Sequence, residues 1–119
     1  MPAFAFEKLR VWQQTRELNK NIYKLTRDFP DAEKYGLQGQ IRRASISVLL
    51  NIAEGSGKKY QKDQARYYSN AYGSLMEVMA SLILSQDLEY LSEDVVIEMR
   101  PQIADIAHKI NLLSRSTDL

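Results

Sequence analysis

The chain has no cysteine, which excludes disulfides, thiolate nucleophiles and cysteine-based zinc sites. It has one histidine, His108. No pair of histidines can therefore show metal-ligand spacing, and the Glu-x-x-His element of a ferritin-like di-iron centre is also missing. No apolar run approaches the roughly 18 unbroken residues of a membrane span, and the opening MPAFAFEKLR lacks the basic segment, apolar core and cleavage site of a secretory leader. A cytoplasmic protein that engages no membrane is expected. Excess charge of one sign is lacking too: 16 Lys and Arg against 15 Asp and Glu leave +1, which argues neither for nor against nucleic acid. Gly55 to Lys59 reads GSGKK, but it follows a helical pattern instead of a strand and lacks the spacing of a phosphate-binding loop. The serines have no identifiable base. No catalytic residue, metal or cofactor is expected, and the chain is not read as an enzyme.

What is present is helical periodicity. Val11, Thr15, Leu18, Ile22, Leu25 and Phe29 alternate steps of four and three, as do Leu37, Ile41, Ala44, Val48, Asn51 and Gly55. Ala65, Tyr68, Tyr72, Leu75, Met79 and Leu82 repeat the rhythm, and so do Val96, Met99, Ile103, Ile106, Ile110 and Leu113. Such steps place each set on one helical face, and strand alternation fits none of them comparably. Four helices are predicted at about 7–28, 34–56, 60–87 and 92–115, in a single domain spanning 1–119. Pro30 with Asp31 breaks the first from the second, Gly55 and Gly57 offer a left-handed cap to the second, and Asp87 to Ser92 separates the last two. Ser92 followed by Glu93 and Asp94 has the form of an N-cap with first-turn acids. Pro101 predicts a kink within the fourth helix, because it removes one hydrogen bond at about 3 kcal/mol. Connections this short favour antiparallel neighbours, hence an all-α, up-and-down four-helix bundle.

Charge is unevenly distributed. Residues 1–66 hold 13 basic and 7 acidic groups, whereas 67–119 hold 3 and 8. The halves carry +6 and −5. If the basic half of one copy meets the acidic half of the next, the contact is heterologous, and such contacts form rings when the rotation closes.

Several segments carry a resemblance: FEKLRVWQ (Phe6 to Gln13), YKLTRDFP (Tyr23 to Pro30), YGLQGQIRRASISVLLNIAEGSG (Tyr35 to Gly57) and AYGSLMEV (Ala71 to Val78). In this order and spacing the chain resembles the four-helix bundle family of bacterial proteins encoded by ribosomal RNA intervening sequences. The pairing of NIAEG with GSLxE is its specific mark. The resemblance implies an up-and-down bundle assembled as a ring-like homopentamer, without an assigned activity in most members. The accessory proteins of diversity-generating retroelements are similar in shape, and they bind nucleic acid together with a reverse transcriptase. This chain departs from the family pattern at two places. Lys58 and Lys59 follow Gly57 where Gly-Arg is usual, which keeps the charge but not bidentate arginine geometry. Glu89 stands where glycine usually precedes Tyr90 and Leu91.

Within the second helix, Ala44, Ser45, Ser47, Asn51, Gly55 and Gly57 are small or polar and read first as close-packing positions. Asn51 lies in the apolar seam, where an amide without partners costs roughly 1–3 kcal/mol and where one use of such a residue is to fix register or oligomeric state. Glu54, one turn on, reads either as a partner of Lys58 or as part of a polar network with Asn51 and an arginine of another helix or subunit. Arg42 and Arg43 point about 100° apart, and one of them is expected to form an intersubunit salt bridge.

Alternating helix directions bring Lys58, Lys59, Lys62 and Arg66 to the same end as Lys8, Arg10, Lys109 and Arg115. Lys58 and Lys59 follow a helix C-terminus, where cations are favoured. Lys62 and Arg66 sit where the helix dipole prefers anions and repel one another, so a polyanion would relieve them. Tyr60 and Tyr67 are candidate base-stacking groups. The reading is an oligomeric, non-enzymatic bundle binding RNA or DNA through Lys58, Lys59, Lys62 and Arg66. The alternative is a protein-interaction scaffold that uses Arg42, Arg43 and the Arg16, Lys20, Lys24 stripe without nucleic acid.

Overall fold

The alternating apolar steps become four helices in the computed structural model, which describes residues 3–117. They are α1 (Arg10–Leu25), α2 (Leu37–Ser56), α3 (Gln61–Asp87) and α4 (Glu93–Thr117), with short 3-10 turns at Ala5–Lys8 and Asp31–Glu33. No strand occurs among the described residues. Side-chain pairs fix the directions. Ser45 bonds Asn19 and Arg42 bonds Tyr23, while Ser47 bonds Ser74 and Gln40 bonds Glu77. In both pairs of helices one chain rises as the other falls. Gln14 near the start of α1 bonds Asp105 of α4, while Lys24 near the end of α1 lies beside Glu98 near the start of α4, so these two helices are antiparallel as well. The result is the all-α up-and-down bundle, with α2 and α4 each touching both α1 and α3.

The ends of α1 and α2 differ from the sequence expectation. The predicted start at about residue 7 falls in the 3-10 turn, where Glu7 Oε1 accepts the Phe4 amide at 2.8 Å and Leu9 is extended (φ −77°, ψ 122°). At the other end, the Thr26 hydroxyl donates back to the Ile22 carbonyl at 2.8 Å and closes the helix before Arg27 and Asp28. The second helix starts at Leu37 instead of about 34, because Pro30 leads into the Asp31–Glu33 turn first. Helix α4 runs without interruption through Pro101.

All four helices bury one stripe in a common core. Leu18, Ile22, Ile41, Val48, Ile52, Leu75, Val78, Leu82, Ile106 and Ile110 are fully buried. Two seams deviate from strict heptads. On α2 the deepest positions run Ile41, Ala44, Val48, Ile52 and Gly55, so Asn51 is half-buried at the edge of the seam instead of within it. On α3 the buried set is Tyr68, Ala71, Leu75, Val78, Leu82 and Ser85, leaving Tyr72 and Met79 half-buried. A straight helix drifts by about 20° per heptad relative to a 3.5-residue repeat, which moves the stripe within a few turns. Three of the buried hydroxyls are satisfied one turn back on their own helix, Thr15 by the Val11 carbonyl, Thr26 by that of Ile22 and Ser85 by that of Ser81, whereas Ser45 donates across to Asn19 of α1.

The expected left-handed glycine caps do not form. Gly57 has φ −90°, and the one residue with positive φ among those described is Glu89, at 64°. It follows the end of α3, where the amides of Glu89 and Tyr90 bond the Gln86 and Ser85 carbonyls. A left-handed conformation costs an L-residue roughly 1–2 kcal/mol, and glycine recovers part of it. Glu89→Gly is therefore expected to raise the unfolding free energy by about 1 kcal/mol, measured by urea denaturation.

Candidate nucleic-acid interface

The end of the bundle where α2 hands over to α3 is built by a short connector. The amides of Gly57 and Lys58 bond the Glu54 and Gly55 carbonyls at 3.2 Å each, and the Gln64 side-chain amide donates to the Lys58 carbonyl at 2.9 Å. That last bond ties the connector to the first turn of α3. Gly55 allows the approach, since a Cβ there would lie 2.8 Å from the Tyr68 ring.

The four cations of interest converge here. Lys58 Nζ and the Arg66 guanidinium lie 5.0 and 5.2 Å from the Tyr67 ring centroid, and Lys59 Nζ lies 5.5 Å from that of Tyr60. Cation–π contact orients such groups without neutralising them. None of Lys58, Lys59, Lys62 or Arg66 forms an ion pair among the described residues. Tyr67 is thus engaged by two cations, while Tyr60 remains 64% exposed. A groove of about 540 Å³ opens beside Lys62 and Arg66, between the start of α3 and the last turns of α4.

One other member of the expected basic end, Lys109, is already occupied. Lys109 Nζ bonds Asp105 Oδ2 at 2.9 Å and Gln14 Oε1 at 2.7 Å, and Gln14 donates to the same carboxylate. This trio joins α1 to α4. On the α1 stripe, Lys20 pairs with Glu17 at 3.2 Å, and Arg16 lies over Trp12 and donates to Gln13.

The structure separates Arg42 from Arg43. Arg42 Nε donates to Thr26 Oγ1 at 2.9 Å and Nη2 to the Tyr23 carbonyl at 3.1 Å, with the guanidinium 4.3 Å from the Tyr23 ring centroid. It caps the C-terminus of α1, where carbonyls lack helical partners and a cation suits the dipole. Arg43 is exposed, with a long 3.4 Å contact to Gln40. Asn51 donates to the Ser47 carbonyl and hydroxyl, and Ser47 meets Ser74 at 2.8 Å. Within the protomer the polar network thus joins Asn51 to serines of α2 and α3. Glu54 is exposed and has no ion pair among the described residues, because Lys58 turns to Tyr67.

A model of the 23S rRNA-intervening sequence protein family matches residues 7–112. The chain belongs to that family. No curated protein matches it. The family match reaches into all four helices and includes both the NIAEG and the GSLME segments; on the facing helices Gly55 of the first packs on Tyr68, and Ser74 of the second bonds Ser47.

Among the described residues no three His, Cys, Asp or Glu side chains converge on a metal-sized site, and no helix is long and apolar enough to cross a membrane. His108 is exposed. Two carboxyls are held below their ordinary range. Glu33 accepts the Leu37 amide at 3.1 Å and, on its other oxygen, the Tyr90 hydroxyl at 2.9 Å. Asp105 accepts from Lys109 and Gln14. The Tyr90 hydroxyl is raised by the same Glu33 bond. Carboxyls depressed in the folded state lend stability that is present above their unfolded pKa and lost as pH falls through the folded one. Stability is therefore expected to fall below about pH 4, and Glu33→Gln to flatten that acid limb in urea titrations at stepped pH.

Sequence reasoning missed the groove, the Gln14–Asp105–Lys109 trio and the Arg42 cap. Asp105 and Lys109 at i,i+4 were a readable signal for a helix-surface pair. The remaining contacts join separate helices and leave no mark at fixed spacing.

Proposed function

We propose that the chain is a non-enzymatic, self-associating bundle of the bacterial cytoplasm that binds RNA or DNA by backbone contacts at Lys58, Lys59, Lys62 and Arg66. The observation that carries this reading is the set of four cations gathered at one end with no carboxylate partner among the described residues. The acidic run of residues 87–98 lies at the opposite end, where α3 hands over to α4, so it does not offset these four cations, which would be open to a polyanion. Repetition around a ring, pentameric by family resemblance, would multiply phosphate contacts that one protomer makes few of. Arg43 and Glu54, exposed on α2, are candidate intersubunit partners.

Changing all four cations to Gln is expected to weaken binding to a short RNA or DNA about tenfold and to flatten its salt dependence. A mobility shift at several salt concentrations measures both, and unchanged binding would remove the assignment.

A second reading, a protein-interaction scaffold, draws on α3. Gly73 lies mid-helix, where a Cβ would have nothing within 4 Å, at a cost of about 1 kcal/mol relative to alanine. Nothing among the described residues uses that space, and the exposed side chains of Met76, Ile83 and Leu84 lie further along the same helix. Close approach of another chain would account for all of them. Sedimentation at micromolar concentration tests self-association directly; a monomer that still shifts nucleic acid would separate binding from assembly.

A further inference from the structure

The groove between α3 and α4 differs in kind from the rest of the basic end. It measures about 540 Å³ and is lined by Lys62, Asp63, Arg66, Ser69 and Tyr72 of α3 and by Asn111 of α4. That volume falls in the range of roughly 300–1,000 Å³ typical of clefts for small organic ligands. Lys58 and Lys59, by contrast, lie outside its lining. We propose that this groove takes a single unstacked nucleotide of a single strand, so that the protein prefers single-stranded nucleic acid to duplex.

The chemistry of the walls motivates the choice. Two cations and one carboxylate leave a formal +1, which matches the single negative charge of an internal phosphodiester. Neither cation is neutralised by an ion pair among the described residues. Beyond them, the half-buried Tyr72 supplies an aromatic wall, and the Asn111 amide offers both a donor and an acceptor to a base edge. A duplex keeps its bases stacked and can offer the groove only backbone, whereas a single strand can turn one base into it. This inference rests on the reading that the basic end binds nucleic acid, and goes beyond it by naming strandedness and the residues that set it.

Filling the groove without removing a cation separates the two. Ser69→Trp and Asn111→Trp occupy it from opposite walls at exposed positions, and two variants guard against one failing to fold, which far-ultraviolet circular dichroism checks. Binding of a twelve-nucleotide single strand and a duplex of the same length is measured at fixed salt by fluorescence anisotropy. The expected result is tighter binding of the single strand by the unaltered protein, a five- to tenfold loss of that binding in the folded filling variants, and unchanged duplex binding. Equal affinity for both strands, or a folded filled groove without effect on the single strand, overturns the groove proposal and leaves the charge reading standing. Absence of binding to either strand overturns both.

Discussion

Gly55→Val is expected to lower the unfolding free energy by about 3 kcal/mol. A Cβ at this position would lie 2.8 Å from Tyr68 Cε1 and 3.1 Å from Tyr67 Cβ, closer than carbon atoms approach without displacement. Tyr68 is 4% exposed, so its ring has no free space to swing into. The two γ-methyls of valine would add to the clash, and the small gain in helix propensity over glycine, a few tenths of a kcal/mol, does not offset it. Overpacking of this kind typically costs about 1–3 kcal/mol, a large fraction of the roughly 5–15 kcal/mol that holds a domain folded. Urea denaturation of the single variant gives the loss. Adding Tyr68→Leu should restore part of it, because the offending ring is removed; a double-mutant cycle without coupling would show that the contact is not what constrains Gly55.

The close approach at Gly55 also shows what periodicity can and cannot convey. Stripes such as Val11, Leu18 and Ile22, or Ile103, Ile106 and Ile110, are legible because burial of one face is a local property of spacing, and these residues are buried as the spacing implies. Ala71, Val78 and Ser85 were missed, although they are as buried as Leu75. Helix α3 faces both α2 and α4, so its inward surface is wider than one heptad seam and drifts around the helix. Boundaries failed where side chains intervene, as when the Thr26 hydroxyl ends α1. The cluster at Lys58 to Arg66 was legible because four cations fall within nine residues of sequence. Its groove was not, since Tyr72 and Asn111 meet only through the packing of α3 on α4. Glu33 and Tyr90, 57 residues apart, illustrate the same limit at the other end of the bundle.

The adjacent arginines of α2 make the sharpest case, because sequence gives them equal standing and the structure does not. Arg42→Ala is expected to cost about 2 kcal/mol, since hydrogen bonds involving a charged group contribute about 1.5–3 kcal/mol. The substitution removes the bond to Thr26 Oγ1, that to the Tyr23 carbonyl, and the contact with the Tyr23 ring. Water can replace part of this, as the Tyr23 contact lies at the surface, which holds the loss below the sum of its parts. Arg42→Lys should recover only a minority of the stability: an ammonium keeps the charge near the α1 C-terminus but cannot present a planar fork to two oxygens while lying on a ring. Arg43→Ala is expected to remain within about 0.5 kcal/mol of the unaltered protein, because among the described residues its guanidinium hydrogen-bonds only Gln40, at a long 3.4 Å. Equal losses at the two positions in urea denaturation would overturn the assignment of Arg42 as the cap. If the protein self-associates, dissociation followed by dilution should reverse the order, with Arg43 mattering to assembly and Arg42 mattering to the protomer that assembles.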